Sequence, residues 1–230
     1  MEFFVGSRSV SFDETTHNLI IDGKEIVPDI RTYGQMKQLY WFQDSQIGDD
    51  FWLYYMFRGV TFSIEDAALF EREKLRYDIT ILIPKSFWGE TNKTFGHFHP
   101  QKPDWKYFEE IYEVLSGKAI YFQQSDLESY YTHASKWDKV LMQSWYGHLT
   151  INPSETEYLV MANIVSPEFS SLYGPYREKN GGAYYLKNGV WEKNPNYQSD
   201  ISLSEKTQVG KWENIYDDFL VSPEMYSYLK

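Results

Sequence analysis

The segment Gly96-His97-Phe98-His99-Pro100 places two imidazoles at positions i and i+2. On an extended strand that spacing sends both rings to one face, close enough to grip a single ion. Glu110 follows eleven residues after His99 and opens EIYEVLSGKA, where Ser116-Gly117 marks a turn into the next strand. On such a strand Glu110, Tyr112 and Val114 share one face, and Ile111, Glu113 and Leu115 share the other. His148 comes later, in GHLTIN, with Asn152 four residues on. Three imidazoles and a carboxylate, with no thiolate in the chain, suit a divalent metal such as Fe, Mn, Ni or Zn. Such a shell leaves coordination positions open for a substrate. Glu109 and Glu113 compete with Glu110 as the carboxylate, and the spacing to the Gly117 turn favours Glu110. His17 and His133 have no comparable company and read as ordinary residues.

The elements around these residues must position them. From Tyr77 onward the chain is a succession of short segments rich in β-branched and aromatic residues, among them YDITILIP, TFGHFHP, EIYEVLSG, KAIYFQQ, YTHASKW, KVLMQSWYG, HLTINPS and EYLVMANIV. Turn residues punctuate most of them, which predicts an all-β barrel or sandwich. Upstream, Asp22-Gly23 in NLIIDGKEIVP signals a hairpin, IRTYGQMKQLYWF predicts a helical turn or two, and FWLYYMFRGV predicts a strand. The best helix signal starts at Ser63 as N-cap, with Glu65 and Asp66 in its first turn. Ile64, Ala67, Ala68 and Leu69 sit at helical spacing in a run reaching about Leu75. Downstream, GGAYYLKNGVWEKNPNY predicts a hairpin, followed by an extended acidic segment packed on the outside.

Composition narrows the function classes. With 22 Lys+Arg against 33 Asp+Glu the net charge is −11, and the chain lacks the basic face that nucleic acid or an anionic membrane surface requires. The absence of Cys excludes a disulfide scaffold, a thiol nucleophile and an iron–sulfur cluster. No apolar run approaches the roughly 18 residues needed to span a bilayer. The N-terminus, MEFFVGSRSV, lacks the basic start and apolar core of a signal peptide. A soluble, cytoplasmic protein is expected. Most of the aromatic residues, 19% of the chain, are expected in the core or at a subunit interface rather than as a sugar-stacking surface.

The pattern of His-x-His, then Glu, then Gly, with a later His-x-x-x-Asn, resembles the two signature motifs of the cupin superfamily. The chain departs from the usual spacing. Thr91 stands where cupins usually have Gly, ten residues separate His99 from Glu110, and Gln143-Ser144-Trp145 replaces Pro-x-Gly. These departures, together with Thr80 to Pro84 (TILIP), Lys93 to Pro100 and Glu110 to Gly117, resemble the cupin-type glucose-6-phosphate isomerases. RTYGQMKQLYWFQD, YYMFRGV and GGAYYLKNGVWEKNPNY are similar to the flanks of longer bacterial members, so the resemblance covers most of residues 25 to 200.

The resemblance implies an all-β cupin double-stranded β-helix with a few short helices in its terminal additions. A single domain, 1–230, is expected, with its barrel core at about 77–165, an N-terminal extension 1–76 and a C-terminal extension 166–230. His97, His99, Glu110 and His148 match the metal ligands, which implies one divalent ion per chain, Fe2+ ahead of Mn2+, Ni2+ or Zn2+. Thr80, Thr94 and Gly96 match positions that bind the sugar phosphate, as two hydroxyls and a Gly backbone N–H can. Tyr112 and Tyr173 match substrate-contacting tyrosines, and Glu110 and Tyr112 are the expected catalytic pair. A family histidine two residues before that second tyrosine is Ser171 here. Arg58 is added as a cation able to help bind a dianion. In the loop between His99 and Glu110, Lys102, Trp105, Lys106 and Tyr107 are candidates for a lid, with a plain surface loop as the simpler reading. The implied reaction interconverts glucose 6-phosphate and fructose 6-phosphate, through a cis-enediolate or a metal-assisted hydride shift, in a homodimer. Another sugar-phosphate isomerase acting on mannose 6-phosphate, a cupin dioxygenase and a non-catalytic sugar-binding cupin are the alternatives.

Overall fold

Alternation along the strand Glu110–Ser116 sets the architecture. All but its last residue are buried, so both faces of the strand must be covered. In the computed structural model, which describes residues 1–207, 210 and 214–230, two apolar layers do this. Tyr112 and Val114 join a core between two sheets, with Ile120, Phe122, Leu149 and Met161. Ile111 and Leu115 join a second layer on the outer side, with Ile79, Ile81, Val160 and Ile164.

The first sheet has six antiparallel strands in the order Lys139–Met142, Glu110–Ser116, Leu159–Val165, Arg76–Leu82, Trp52–Phe57 and Asp29–Thr32. The facing sheet runs Gly147–Ile151, Lys118–Gln124, Glu128–Ser135 and Ser202–Glu205, the last strand pairing parallel. Together they form the expected all-β barrel of two facing sheets. Strands from both terminal extensions lengthen its sheets, so the barrel recruits chain well outside residues 77–165. The outer layer is closed by an N-terminal meander of four strands between Glu2 and Ile26 and by the helices Ile64–Glu73 and Ile215–Val221.

Local signals explain most boundaries. Leu19–Ile21 and Lys24–Ile26 form the expected hairpin, and Asp22 and Gly23 take the positive φ values, 49° and 75°, that its tight turn needs. Ser63 caps its helix by accepting from the Asp66 N–H at 3.0 Å. That helix differs from expectation in its buried face. Ile64, Ala67 and Ala68 face solvent, whereas Leu69 is half-buried against the outer layer and Phe70, stacked 4.2 Å from Phe219, is the residue buried in it. One large ring buries more area than three small or terminal apolar groups. Thr32 and Gln35 form a capping box over the expected short helix Tyr33–Met36. The expected downstream hairpin is Tyr184–Lys187 against Val190–Lys193.

Two expectations are corrected. The acidic tail is not simply extended: Ser202–Glu205 joins the barrel, and the helix Ile215–Val221 and the 3-10 helix Pro223–Leu229 follow, burying Ile215, Tyr216, Phe219, Tyr226 and Leu229. Gln208, Val209, Lys211, Trp212 and Glu213 of that tail lie outside the described residues. TFGHFHP is not a regular strand either. Its β-pairing among the described residues consists of isolated bridges, His97 with His148 and Phe98 with Leu172.

Candidate metal centre

The bridge between His97 and His148 is the local frame of the site. The two residues exchange both backbone hydrogen bonds, His97 N to His148 O at 3.1 Å and His148 N to His97 O at 2.9 Å. Gly147–Ile151 fixes one partner in the smaller sheet, and the other brings its whole segment with it. His97, His99, Glu110 and His148 thereby converge, with one potential ligand atom from each within 4.8 Å of all the others. His99 Nε2 lies 3.4 Å from Glu110 Oε2, and His148 Nε2 lies 3.3 Å from the same oxygen.

Backbone carbonyls orient two of the rings. Nδ1 of His97 lies 3.2 Å from the Phe95 carbonyl and Nδ1 of His99 lies 3.0 Å from the Phe108 carbonyl. With Nδ1–H donating there, each Nε2 keeps its lone pair for a ligand role. Burial, reinforced by the neighbouring imidazoles, holds the His97 ring well below the ordinary histidine range, and burial lowers His148 against the opposing pull of Glu110. Both are neutral near pH 7, as metal ligation requires. Burial acts to raise the Glu110 carboxyl, but His148 and His99 outweigh it and hold that group below the usual carboxylate range. Neither ring nitrogen of the buried His148 has a hydrogen-bond partner. Buried polar atoms seldom stay unsatisfied, and three imidazoles around a carboxylate form the donor set of a divalent ion. The residues present therefore fit a bound metal.

Residues that the motif does not reveal support this set. Asn163 donates from Nδ2 to Glu110 Oε1 at 2.6 Å and lies between Tyr112 and Asp78 in the sheet register. The polar residue inside the otherwise apolar, fully buried LVMANIV was the available signal. Arg76 grips Asp78 with two nitrogens, Nε at 2.7 Å from Oδ1 and Nη2 at 2.7 Å from Oδ2. Burial pushes the Asp78 carboxyl up despite that pair. Phe169 packs its ring 4.6 Å from that of His99.

A cavity of about 120 Å3 opens over the cluster, and Thr80, Tyr112, Ser171, Tyr173 and Arg58 share its wall with His97, His99 and Glu110. Burial and the charge of Glu110 push the Tyr112 phenol well above its ordinary range, so the hydroxyl stays protonated. Arg58 stands on the wall with its guanidinium already bound to Asp29. Thr94 and Gly96 are not part of this wall. Thr94 Oγ1 accepts from the Thr150 N–H at 2.9 Å, and a Cβ on Gly96 would come within 2.1 Å of the Tyr176 ring. Glu109 takes the Ser144 N–H at 3.3 Å, and Glu113 faces the outer layer, so neither competes with Glu110. Asn152 is structural, donating to the Leu82 and Glu157 carbonyls. His17 stacks on Tyr55, and His133 faces solvent.

The loop carrying Lys102, Trp105, Lys106 and Tyr107 is a surface loop rather than a lid. Lys102 reaches the backbone oxygens of Tyr228 and Lys230, Lys106 lies 3.7 Å from Asp104, and Trp105 is 81% exposed.

Among solved structures, vicilin from Capsicum annuum matches with 20% identity and a TM-score of 0.37, over 52% of this chain and 29% of that one. Oxalate oxidase in complex with glycolate matches with 14% identity and a TM-score of 0.35, over 44% and 47%. A deletion mutant of Bacillus subtilis oxalate decarboxylase matches with 15% identity and a TM-score of 0.38, over 52% and 28%. The chain thus spans less than half the length of each of these structures. No curated protein sequence matches it. Residues 31–202, most of the chain, match the family model for glucose-6-phosphate isomerase (GPI), and the chain belongs to that family.

Proposed function

We propose that the protein is a metal-dependent aldose–ketose isomerase that interconverts glucose 6-phosphate and fructose 6-phosphate. The observation that carries this reading is the convergence of His97, His99, Glu110 and His148 beneath a cavity walled by Thr80, Tyr112 and Tyr173, in a chain of that family. A divalent ion, Fe2+ ahead of Mn2+, Ni2+ or Zn2+, supplies a Lewis acid that polarises the substrate carbonyl when held by these four residues.

The chain's own residues divide the remaining work. Tyr112, kept protonated by its surroundings, donates a hydrogen bond to a substrate oxygen on which negative charge develops. Asn163 fixes Glu110 by holding Oε1, which leaves Oε2 facing the histidines. Converting the aldose to the ketose takes hydrogen from C2 to C1 and a hydroxyl proton from O2 to O1. Glu110 is assigned to carry the carbon-bound proton. In a direct transfer between the carbons, Glu110 would only hold the site. Solvent deuterium entering the product at carbon supports the carboxylate route, and its complete absence supports direct transfer. Thr80, Thr94, Gly96 and Tyr173 are assigned to binding the sugar phosphate. Ser171, where the family resemblance leads one to expect histidine, leaves a hydroxyl on the cavity wall.

The test is isomerisation of fructose 6-phosphate, coupled to glucose-6-phosphate dehydrogenase, on chelator-stripped protein and after return of Fe, Mn, Ni or Zn. Activity is expected to vanish on stripping and to return with metal. Inactivity with every metal would overturn the proposal, and mannose 6-phosphate run in parallel tests the choice of hexose.

A further inference from the structure

The chain has six arginines. Four are bound to carboxylates: Arg8 to Asp217, Arg58 to Asp29, Arg72 to Glu73 and Arg76 to Asp78. The other two, Arg31 and Arg177, have no carboxylate partner among the described residues, although the chain carries an excess of eleven negative charges. Both lie over the same ring. The guanidinium carbon of Arg31 is 5.5 Å from the Phe95 centroid, and that of Arg177 is 5.3 Å from it. An aromatic face attracts each cation weakly but leaves it without a counter-charge. Nε of Arg31 is buried with no hydrogen-bond partner, and a buried polar atom in that state is costly.

Their position gives the cations a use. Arg31 Cζ is also 5.7 Å from the ring of Tyr173, and that ring lies 5.4 Å from the ring of His97. Tyr173 therefore links His97 to Arg31, while Arg177 shares the Phe95 ring with Arg31. A linear hexose 6-phosphate has the same polarity: C1 and C2, which react, lie at one end and the phosphate at the other. Phe95 itself lies between Thr94 and Gly96, the two residues assigned to phosphate that are missing from the wall over the histidines. Strand register fixes Arg31, since it pairs with Tyr54, whose hydroxyl accepts the Phe95 N–H at 3.1 Å. Arg177 stands at the exposed rim, on the helix Gly174–Glu178 that follows Tyr173.

We propose that Arg31 and Arg177 form the anchor for the substrate's phosphate, with Arg31 as the fixed inner cation and Arg177 as the rim cation that closes over the ester. The anchor rests on the isomerase reading for its substrate, a sugar phosphate. Guanidinium forks match phosphate oxygens two at a time, and the dianion supplies the charge both arginines lack. Arg58, expected to do this from the sequence, is already neutralised by Asp29.

The experiment titrates the metal-loaded protein with 6-phosphogluconate, a phosphate ester it cannot isomerise, and with gluconate, which lacks the phosphate. Wild type is expected to prefer 6-phosphogluconate. Arg31→Gln and Arg177→Gln should each weaken that ligand about tenfold or more and leave gluconate affinity unchanged. Arg31→Lys, which keeps the charge without the fork, should fall between and covers failure of Arg31→Gln to fold. With fructose 6-phosphate, the loss should appear chiefly in KM. Variants that bind 6-phosphogluconate as wild type does, or that lose gluconate equally, overturn the anchor and leave the isomerase reading standing. The anchor is likewise overturned if wild type does not prefer the phosphate ester. Arginine-dependent binding of the ester by a wild type that isomerises nothing would overturn the reading and keep the anchor.

Discussion

Glu110 and Glu113 stand three residues apart on one strand, both buried, and the pleat sends them to opposite faces. On the inner face, His99 and His148 approach one Glu110 oxygen while Asn163 holds the other, and the group is driven towards its charged form. On the outer face, Glu113 lies 3.5 Å from Lys139 and accepts from Asn214 Nδ2 at 2.7 Å and from the Ile215 N–H at 3.2 Å. Burial, aided by the charge of Asp217, pushes Glu113 up to about 7, against the pull of Lys139. Burial is common to the two carboxylates, so it does not separate their roles. The difference lies in the neighbours. Glu110 faces imidazole nitrogens that could share an ion with it, and Glu113 faces donors that tie the C-terminal helix to the barrel.

Exchanging each carboxylate for its amide should separate the two faces. Glu110→Gln is expected to lower kcat on fructose 6-phosphate about 10²- to 10⁴-fold, measured by the coupled assay alongside metal content. Retention of full activity would place Glu110 outside the chemistry. A smaller loss, about 10- to 100-fold in activity or metal affinity, is expected for Asn163→Leu, because Glu110 would keep its place but lose its orienting donor. Chelation should lower Tm, since an ion bound only by the folded chain stabilises it. That Tm shift should persist in Glu113→Gln and be absent from Glu110→Gln, and an equal shift in both variants would erase the distinction. The smallest effect belongs to Glu113→Gln itself, which should turn over at the wild-type rate. Its signature is in stability. Between about pH 4.5 and 7 folded Glu113 keeps a proton that the unfolded chain releases, so wild-type stability falls as pH rises through that window and levels off above it. Urea unfolding across this range should show a flatter profile for the amide.

The inner face was largely legible in the sequence because its chemistry comes in fixed spacings. His97 and His99, the Glu110-to-Gly117 run and His148 each carry a local signature. The supports were not legible in the same way. Asn163 reaches Glu110 across neighbouring strands, so its role depends on register, which no local pattern encodes. Arg58 and Arg31 illustrate the same limit. Arg31 lies on a strand and Arg58 directly follows one, and only tertiary packing gives Arg58 a carboxylate and leaves Arg31 without one among the described residues. The barrel followed from turn signals and alternating apolar residues. The buried C-terminal helix was hidden in an acidic stretch, where its apolar anchors, Ile215, Tyr216 and Phe219, are too few to set a visible period.

The reciprocal backbone pairing of His97 with His148 also constrains the order of events during folding. His97, His99 and Glu110 are close in sequence, whereas His148 lies beyond the intervening strands Lys118–Gln124 and Glu128–Ser135. Closing so long a loop is entropically costly, and contacts of this kind form late. The complete donor set is thus a product of barrel closure rather than a nucleus for it. An ion that these four residues could hold would meet all of them together only in the closed barrel.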